Sequence, residues 1–150
     1  MSRSKTLTGL ALVAGVAVIA SGVAVAQDAI AKRKELMKGV GGATKQSVQM
    51  VKGEAPFDAG KAKAAMDTIH TNWAEFAKLF PKGSETGGET TAAPKIWQSF
   101  EDFEAKGKQM AADAAAASAA AAQGLEPFKA AFTAVAKNCK GCHQQYRIKK

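Results

Sequence analysis

Cysteine is scarce in this chain, with two in 150 residues. That excludes a fold held together by a disulfide framework. Proline is scarce as well, at four residues, and with 14 glycines the composition is neither low-complexity nor collagenous. β-branched residues thin out after position 26 while alanine becomes abundant, a balance that favours helix over strand. Only one long apolar run exists, near the N-terminus, so a polytopic membrane protein is excluded. Acidic residues are outnumbered, 13 against 21 basic ones, for a net charge of +8. With 47% hydrophobic and 23% charged residues the chain is not intrinsically disordered. The length predicts one domain, and no repeat of 20–50 residues is evident.

Residues 1–26 have the form of a secretory signal. Arg3 and Lys5 are its basic start, Leu10 to Ala20 its apolar stretch, and Ala24-Val25-Ala26 the small residues that signal peptidase requires. Cleavage is predicted before Gln27. The alternative, a retained anchor, is disfavoured by a short, Gly- and Ala-rich stretch closed by a cleavage site. Export places the mature chain, residues 27–150, in an oxidising compartment, the periplasm, with no stable membrane insertion after cleavage. Its net charge of +6 suits acidic partner proteins. Basic residues are not clustered with aromatics, so nucleic acid is not an expected partner.

Four amphipathic helices are predicted in the mature chain. The first spans 28–52, with Ile30, Arg33, Met37, Val40, Thr44, Ser47 and Val51 at helical spacing. Gly39, Gly41 and Gly42 predict a kink or a close approach there. The second spans 58–80, with Asp58 as N-cap, Pro81 as stop and Ala62, Ala65, Ile69, Trp73, Phe76 and Phe80 on one stripe. Residues 81–93 carry no periodicity and read as a connection. The third helix opens at Pro94 and runs to Gln123 along Ile96, Phe100, Phe103, Gly107, Met110, Ala114, Ala117 and Ala121. The fourth starts at Leu125 and repeats Phe128, Phe132, Val135, Cys139, Cys142 and Tyr146. These elements predict an all-α fold, an antiparallel up-down-up-down four-helix bundle.

The chemistry is concentrated in Cys139-Lys140-Gly141-Cys142-His143. C-x-x-C-H is the attachment motif of c-type haem. Two thiols three residues apart on one helical face can each add to a vinyl group on one porphyrin edge, and the next residue reaches the iron. One competing reading is a thiol-disulfide oxidoreductase. Such sites normally sit at a helix N-terminus, which lowers the thiol pKa, whereas this pair lies near the end of the last helix. The other is a structural disulfide with a histidine beside it by chance.

Up-down-up-down order brings the end of the fourth helix beside the start of the first. Trp73, Phe76, Phe80, Trp97, Phe100 and Tyr146, six of the ten aromatics, are then expected around one haem at that end of the bundle. Met37 lies at the level of His143 on the inward stripe, either as the second iron ligand or as packing. Arg33, one turn earlier, either meets a haem propionate or snorkels at the bundle end. Arg147 either covers the proximal imidazole or is a solvated charge. His70 stands beside its stripe and reads as a surface residue.

The chain resembles the class II c-type cytochromes, the cytochrome c′ and cytochrome c-556 family. CKGCHQQYR at the C-terminus, Arg33-x-x-x-Met37, KGEAPFD at 52–58, LFP at 79–81 and PKIW at 94–97 carry the resemblance. It implies one covalently attached haem c per chain, bound at one end of the bundle. Cys139 and Cys142 would be the thioether anchors and His143 the proximal iron ligand. Arg33 would lie near a propionate, Phe80 in the distal pocket, Arg147 on the proximal side and Met37 at the distal position. A methionine there marks cytochrome c-556-like electron carriers. Cytochromes c′ usually carry an apolar residue instead and bind NO or CO at an open iron, although some have a methionine that does not coordinate. The expected function is therefore a one-electron carrier rather than an enzyme, with gas binding as the alternative. The family also often forms homodimers through its first two helices.

Overall fold

The computed structural model describes residues 17–148, with side chains from residue 24 onward. Five helices follow in order: α1 (Ala17–Val51), α2 (Ala59–Phe76), α3 (Lys95–Gln98), α4 (Phe100–Ala121) and α5 (Leu125–Tyr146). The four long ones form the expected bundle. Their antiparallel arrangement shows at the two ends. Phe57, before α2, meets Phe128 in the first turns of α5 at 5.7 Å. At the other end Trp73 of α2 and Tyr146 of α5 both reach Phe103 of α4, at 5.3 and 5.2 Å.

The helix α1 runs without a break through the expected cleavage position, while residues 1–16 of the signal lie outside the described part. Among the described residues no helix is long and apolar enough to cross a membrane. The stripe on α1 is largely as expected, with Ile30, Arg33, Val40 and Ser47 buried, and Ala43 and Met50 added to it. Gly53, at φ 72°, ends the helix in the left-handed region that glycine adopts without strain. Asp58 caps α2 by accepting a hydrogen bond from the Lys61 amide at 2.9 Å.

Two boundaries differ from expectation. The helix α2 stops at Phe76, not Phe80, and residues 77–79 continue as tight turns, with the Lys78 and Leu79 amides donating to Glu75 and Phe76 carbonyls. Pro81 disfavours helical backbone at Phe80, and Phe80 instead turns inward. The third expected helix is two. Ser99 leaves the helical region (φ −138°, ψ 50°) and separates α3 from α4. Ile96 and Phe103 are seven residues apart and both buried, so the apolar period passes over the break unaltered. Phe100, just beyond it, is pushed outward and is 38% exposed.

The connection 81–93 is tied down at both ends. The Arg33 guanidinium donates to the Ser84 carbonyl at 2.8 Å, and Ser84 is fully buried. At the other end the Ala93 amide donates to the Tyr146 carbonyl and the Ile148 amide to the Thr91 carbonyl, at 2.9 and 2.8 Å. The loop thus straps α1 to the end of α5.

Away from the aromatic end the core narrows. Ala114, Ala117 and Ala121 of α4 are fully buried, so small side chains let the helices approach closely. Gly107 marks the tightest contact: a Cβ there would lie 1.8–2.1 Å from the Trp73 ring.

Two predictions follow from this packing. Gly107→Ala forces Trp73 off its seat, and urea unfolding should show a loss of about 1–3 kcal/mol, the usual cost of overpacking. Arg33→Met removes the charged hydrogen bond to Ser84. Amide exchange in residues 83–86 should rise about tenfold in a native protein whose helical core remains protected.

Candidate functional site

A cavity of about 740 Å³ opens at the aromatic end of the bundle, within the size range of cofactor pockets. One wall is α1, through Ile30, Arg33, Met37, Val40 and Gly41. Another is α5, through Cys139, Cys142, His143, Tyr146 and Arg147. These two helices touch little elsewhere. Trp73, Phe76 and Phe80 close the side of α2, and Ile96, Phe103, Gly107 and Met110 that of α3 and α4. All seven residues singled out in the sequence for the site, Arg33, Met37, Phe80, Cys139, Cys142, His143 and Arg147, border this one space.

The aromatic lining differs from expectation in two members. Trp97 stands behind Phe80, 5.5 Å away edge-on, and its indole N–H donates to the Phe80 carbonyl at 3.1 Å. Phe100 faces outward. Phe103 takes the central place, its ring within 4.9–6.3 Å of five others. Sequence reading placed Phe103 on the inward stripe but left it out of the lining. It also missed Met110 and the strap residues Glu89 to Ala92, since the strap has no periodicity to read.

The electrostatics follow from burial. Arg33 is 4% exposed and lies over the faces of Phe80 and Trp97, at 4.7 and 5.5 Å from the ring centroids. Burial lowers its pKa, and the nearby Glu85 offsets part of this; the group remains a cation. Its Nη1 is buried without a hydrogen-bond partner. Lys34, Lys38, Lys106 and Arg147 also stand on the cavity wall, against one carboxylate, Glu89, which pairs with Lys34 at 3.5 Å.

On α5, burial raises the thiol pKa of Cys139, and raises that of Cys142 to about 11, with a smaller contribution from Cys139 beside it. Both thiols are therefore protonated near neutral pH, the reverse of what thiol exchange requires. Burial, and then the positive charge of Arg147, lower the pKa of His143 and keep its imidazole neutral, with a lone pair free. His70 is exposed, with Nδ1 2.9 Å from the Ala111 carbonyl oxygen, and takes no part in the site.

These features define the kind of group the cavity suits. Such a group has a flat apolar body, to suit aromatic walls. It has an anionic edge, to satisfy the orphaned Nη1 of Arg33. It can use two thiols, an imidazole and a thioether. Among the described residues no three His, Cys, Asp or Glu side chains converge to hold a bare ion. A haem fits each of these requirements.

Comparison with known proteins agrees. The family model of cytochrome c′ matches residues 28–147. Cytochrome c′ of Rhodopseudomonas palustris is 42% identical over 149 residues, covering 94% of this chain and 97% of that protein. Cytochrome c-556 of Agrobacterium fabrum is 40% identical over 132 residues, covering 88% of this chain and 89% of the other. The solved structure of the Rhodopseudomonas palustris cytochrome c′ superposes with a TM-score of 0.76 at 39% identity, covering 82% of this chain and 98% of that one. Both branches of the family thus lie at comparable distance. The chain belongs to the cytochrome c′ family, monohaem c-type cytochromes that carry covalently bound haem c and are haem proteins rather than classical enzymes.

Proposed function

We propose that the protein is an exported one-electron carrier whose haem is anchored by Cys139 and Cys142 and whose iron is held by His143 and Met37. The observation that carries this reading is the placement of Met37 on the α1 wall of the same cavity whose α5 wall holds both thiols and His143. Bound haem c supplies an Fe(III)/Fe(II) couple. Burial and Arg147 hold the His143 imidazole in the neutral form that can donate its lone pair. Met37 offers a soft thioether, and His with Met is a standard electron-transfer pair. The free Nη1 of Arg33 would hold a propionate, a charge-assisted contact for an otherwise orphaned donor. Phe80, edge-on to Phe76 and Phe103 at 5.2 and 4.9 Å, keeps water out of the distal side.

A second reading, gas binding at an open iron, is favoured by one finding. The solved structures similar to this chain include a nitric oxide complex of a cytochrome c prime variant from Alcaligenes xylosoxidans, at a TM-score of 0.73 and 33% identity.

Cleavage before Gln27 and work in the periplasm are part of the proposal, supported by the leader pattern of residues 1–26 and by the family. So is pairing of two chains through α1 and α2, as the family resemblance implies. Lys137 and Lys140 are exposed on α5, Lys34, Lys38 and Lys106 border the cavity, and Lys149 and Lys150 lie outside the described residues. We propose that the described lysines among them form a basic face for an acidic redox partner.

Visible spectra of the holoprotein, oxidised and reduced, with and without CO, test the ligation. The carrier reading expects low-spin spectra with sharp reduced bands that CO leaves unchanged, and a Met37→Leu variant that becomes high-spin and shifts with CO. A wild-type protein that is already high-spin and CO-sensitive reverses the order of the two readings. For the docking face, the electron-transfer rate to an acidic partner should fall about tenfold or more between low and physiological salt, as steered encounters do. Lys137→Glu with Lys140→Glu should flatten that dependence, and a salt-independent wild-type rate removes the face.

A further inference from the structure

The geometry points to a function for two aspartates of α4 that lie outside the cavity: we infer that Asp102 and Asp113 are positioning residues that clamp the haem-bearing segment of α5 at both ends. This rests on the reading that haem is attached at Cys139 and Cys142. The Tyr146 hydroxyl donates to Asp102 Oδ2 at 2.5 Å, and the Asn138 side-chain amide donates to Asp113 Oδ2 at 2.6 Å. Asn138 and Tyr146 are the residues on α5 that bracket 139–143, so the motif is held from just before its first cysteine to one turn after its histidine.

The two clamps are built alike. Each carboxylate gives one oxygen to α5 and has the other fixed from its own helix, four residues away toward the middle. Lys106 lies 3.6 Å from Asp102 Oδ1, and the Gln109 side-chain amide donates to Asp113 Oδ1 at 3.0 Å. Neither carboxylate is left free to swing. Between the clamps α4 presents Phe103, Lys106, Gly107 and Met110 to the cavity. The pairs 102–146 and 113–138 set one antiparallel register between the helices. A slip by one residue would break both hydrogen bonds and rotate the thiols and the imidazole away from the space they border.

Toward Asp113 apolar packing fixes this register weakly, because α4 offers mostly alanine to its neighbours from there on, whereas at Asp102 the Phe103–Tyr146 contact acts together with the hydrogen bond. Directional hydrogen bonds to charged acceptors supply what small side chains cannot. A carboxylate is the suitable acceptor at each place, since it can be held on one oxygen and still accept on the other.

The test uses holoprotein. Mass spectrometry first establishes haem on the wild-type chain; a chain without that added mass overturns the attachment reading. On loaded protein, Tyr146→Phe combined with Asn138→Ala removes both hydrogen bonds and keeps the Tyr146 ring on Phe103. Amide exchange across 139–146 should rise about tenfold or more, and the haem bands and the reduction potential should move from wild-type values. Asp102→Asn with Asp113→Asn, in the otherwise wild-type chain, keeps one acceptor oxygen at each site and loses the other, and should move the spectrum and the potential less than the Tyr146/Asn138 variant does. Ser118→Ala is the control: it breaks a 2.6 Å hydrogen bond to Asp67 that ties α4 to α2 instead and should leave spectrum and potential unchanged. Wild-type spectrum and potential in the Tyr146/Asn138 variant, or equal movement in the Ser118 control, overturn the clamp. If the double variant does not load haem, Tyr146→Phe alone is read by the same spectrum and potential, and unmoved values there overturn the clamp as well.

Discussion

The functional end of this bundle depends on Phe103. Its ring is almost fully buried and touches rings from α2, from the turn that follows it and from α5. Trp73 and Phe76 come from α2, Phe80 from the connection and Tyr146 from α5, with Phe100 beside it on α4. Edge-to-face and tilted pairs of this kind add about 0.5–1.5 kcal/mol each to the burial of the rings themselves. The seat depends in turn on Gly107, one turn along α4, where the absence of a side chain lets Trp73 lie against the backbone. Remove that space and Trp73 is displaced, and with it the partner that sets Phe103.

The same aromatic cluster makes the burial of Arg33 tolerable. A guanidinium stripped of water is costly unless its donors and its charge are met. Phe80 and Trp97 offer their faces, the Ser84 carbonyl accepts one hydrogen bond and Glu85 supplies a nearby negative charge. One nitrogen is still unmet, and it belongs to a residue on the cavity wall. The strap from 81 to 93 is thus held by a residue that is itself incomplete without an anion. Binding an anionic group and ordering the strap draw on the same side chain.

Much of this was legible in the sequence because the helices keep strict apolar stripes and because C-x-x-C-H has a specific chemistry at a specific spacing. What was not legible has identifiable physical causes. Ser99 interrupts a helix without disturbing the apolar period, since Ile96 and Phe103 remain in phase on either side. Phe100 therefore looked inward and is not. Phe80 continued the stripe of α2 in sequence but is carried out of the helix by the proline that follows it, which improves its place in the site. The strap 81–93 reaches Arg33 and the α5 terminus through backbone carbonyls and amides, and such contacts leave no trace in residue type. The carboxylates at 102 and 113 are ordinary exposed-face residues by pattern, and only their partners across the helix interface distinguish them.

The two walls of the cavity are built on different principles, and the two functional readings divide along that line. On one side α5 is packed along α4 and hydrogen-bonded to it by side chains on both sides of the motif, so the thiols and His143 stand on the better-determined wall. On the other, α1 packs on α2, touches α5 little and is tied over the cavity through Arg33 and the strap. Met37, on which the two functional readings turn, lies on this second wall. Met37 thus sits on a helix whose link to the thiol-bearing one runs largely through Arg33 and the strap.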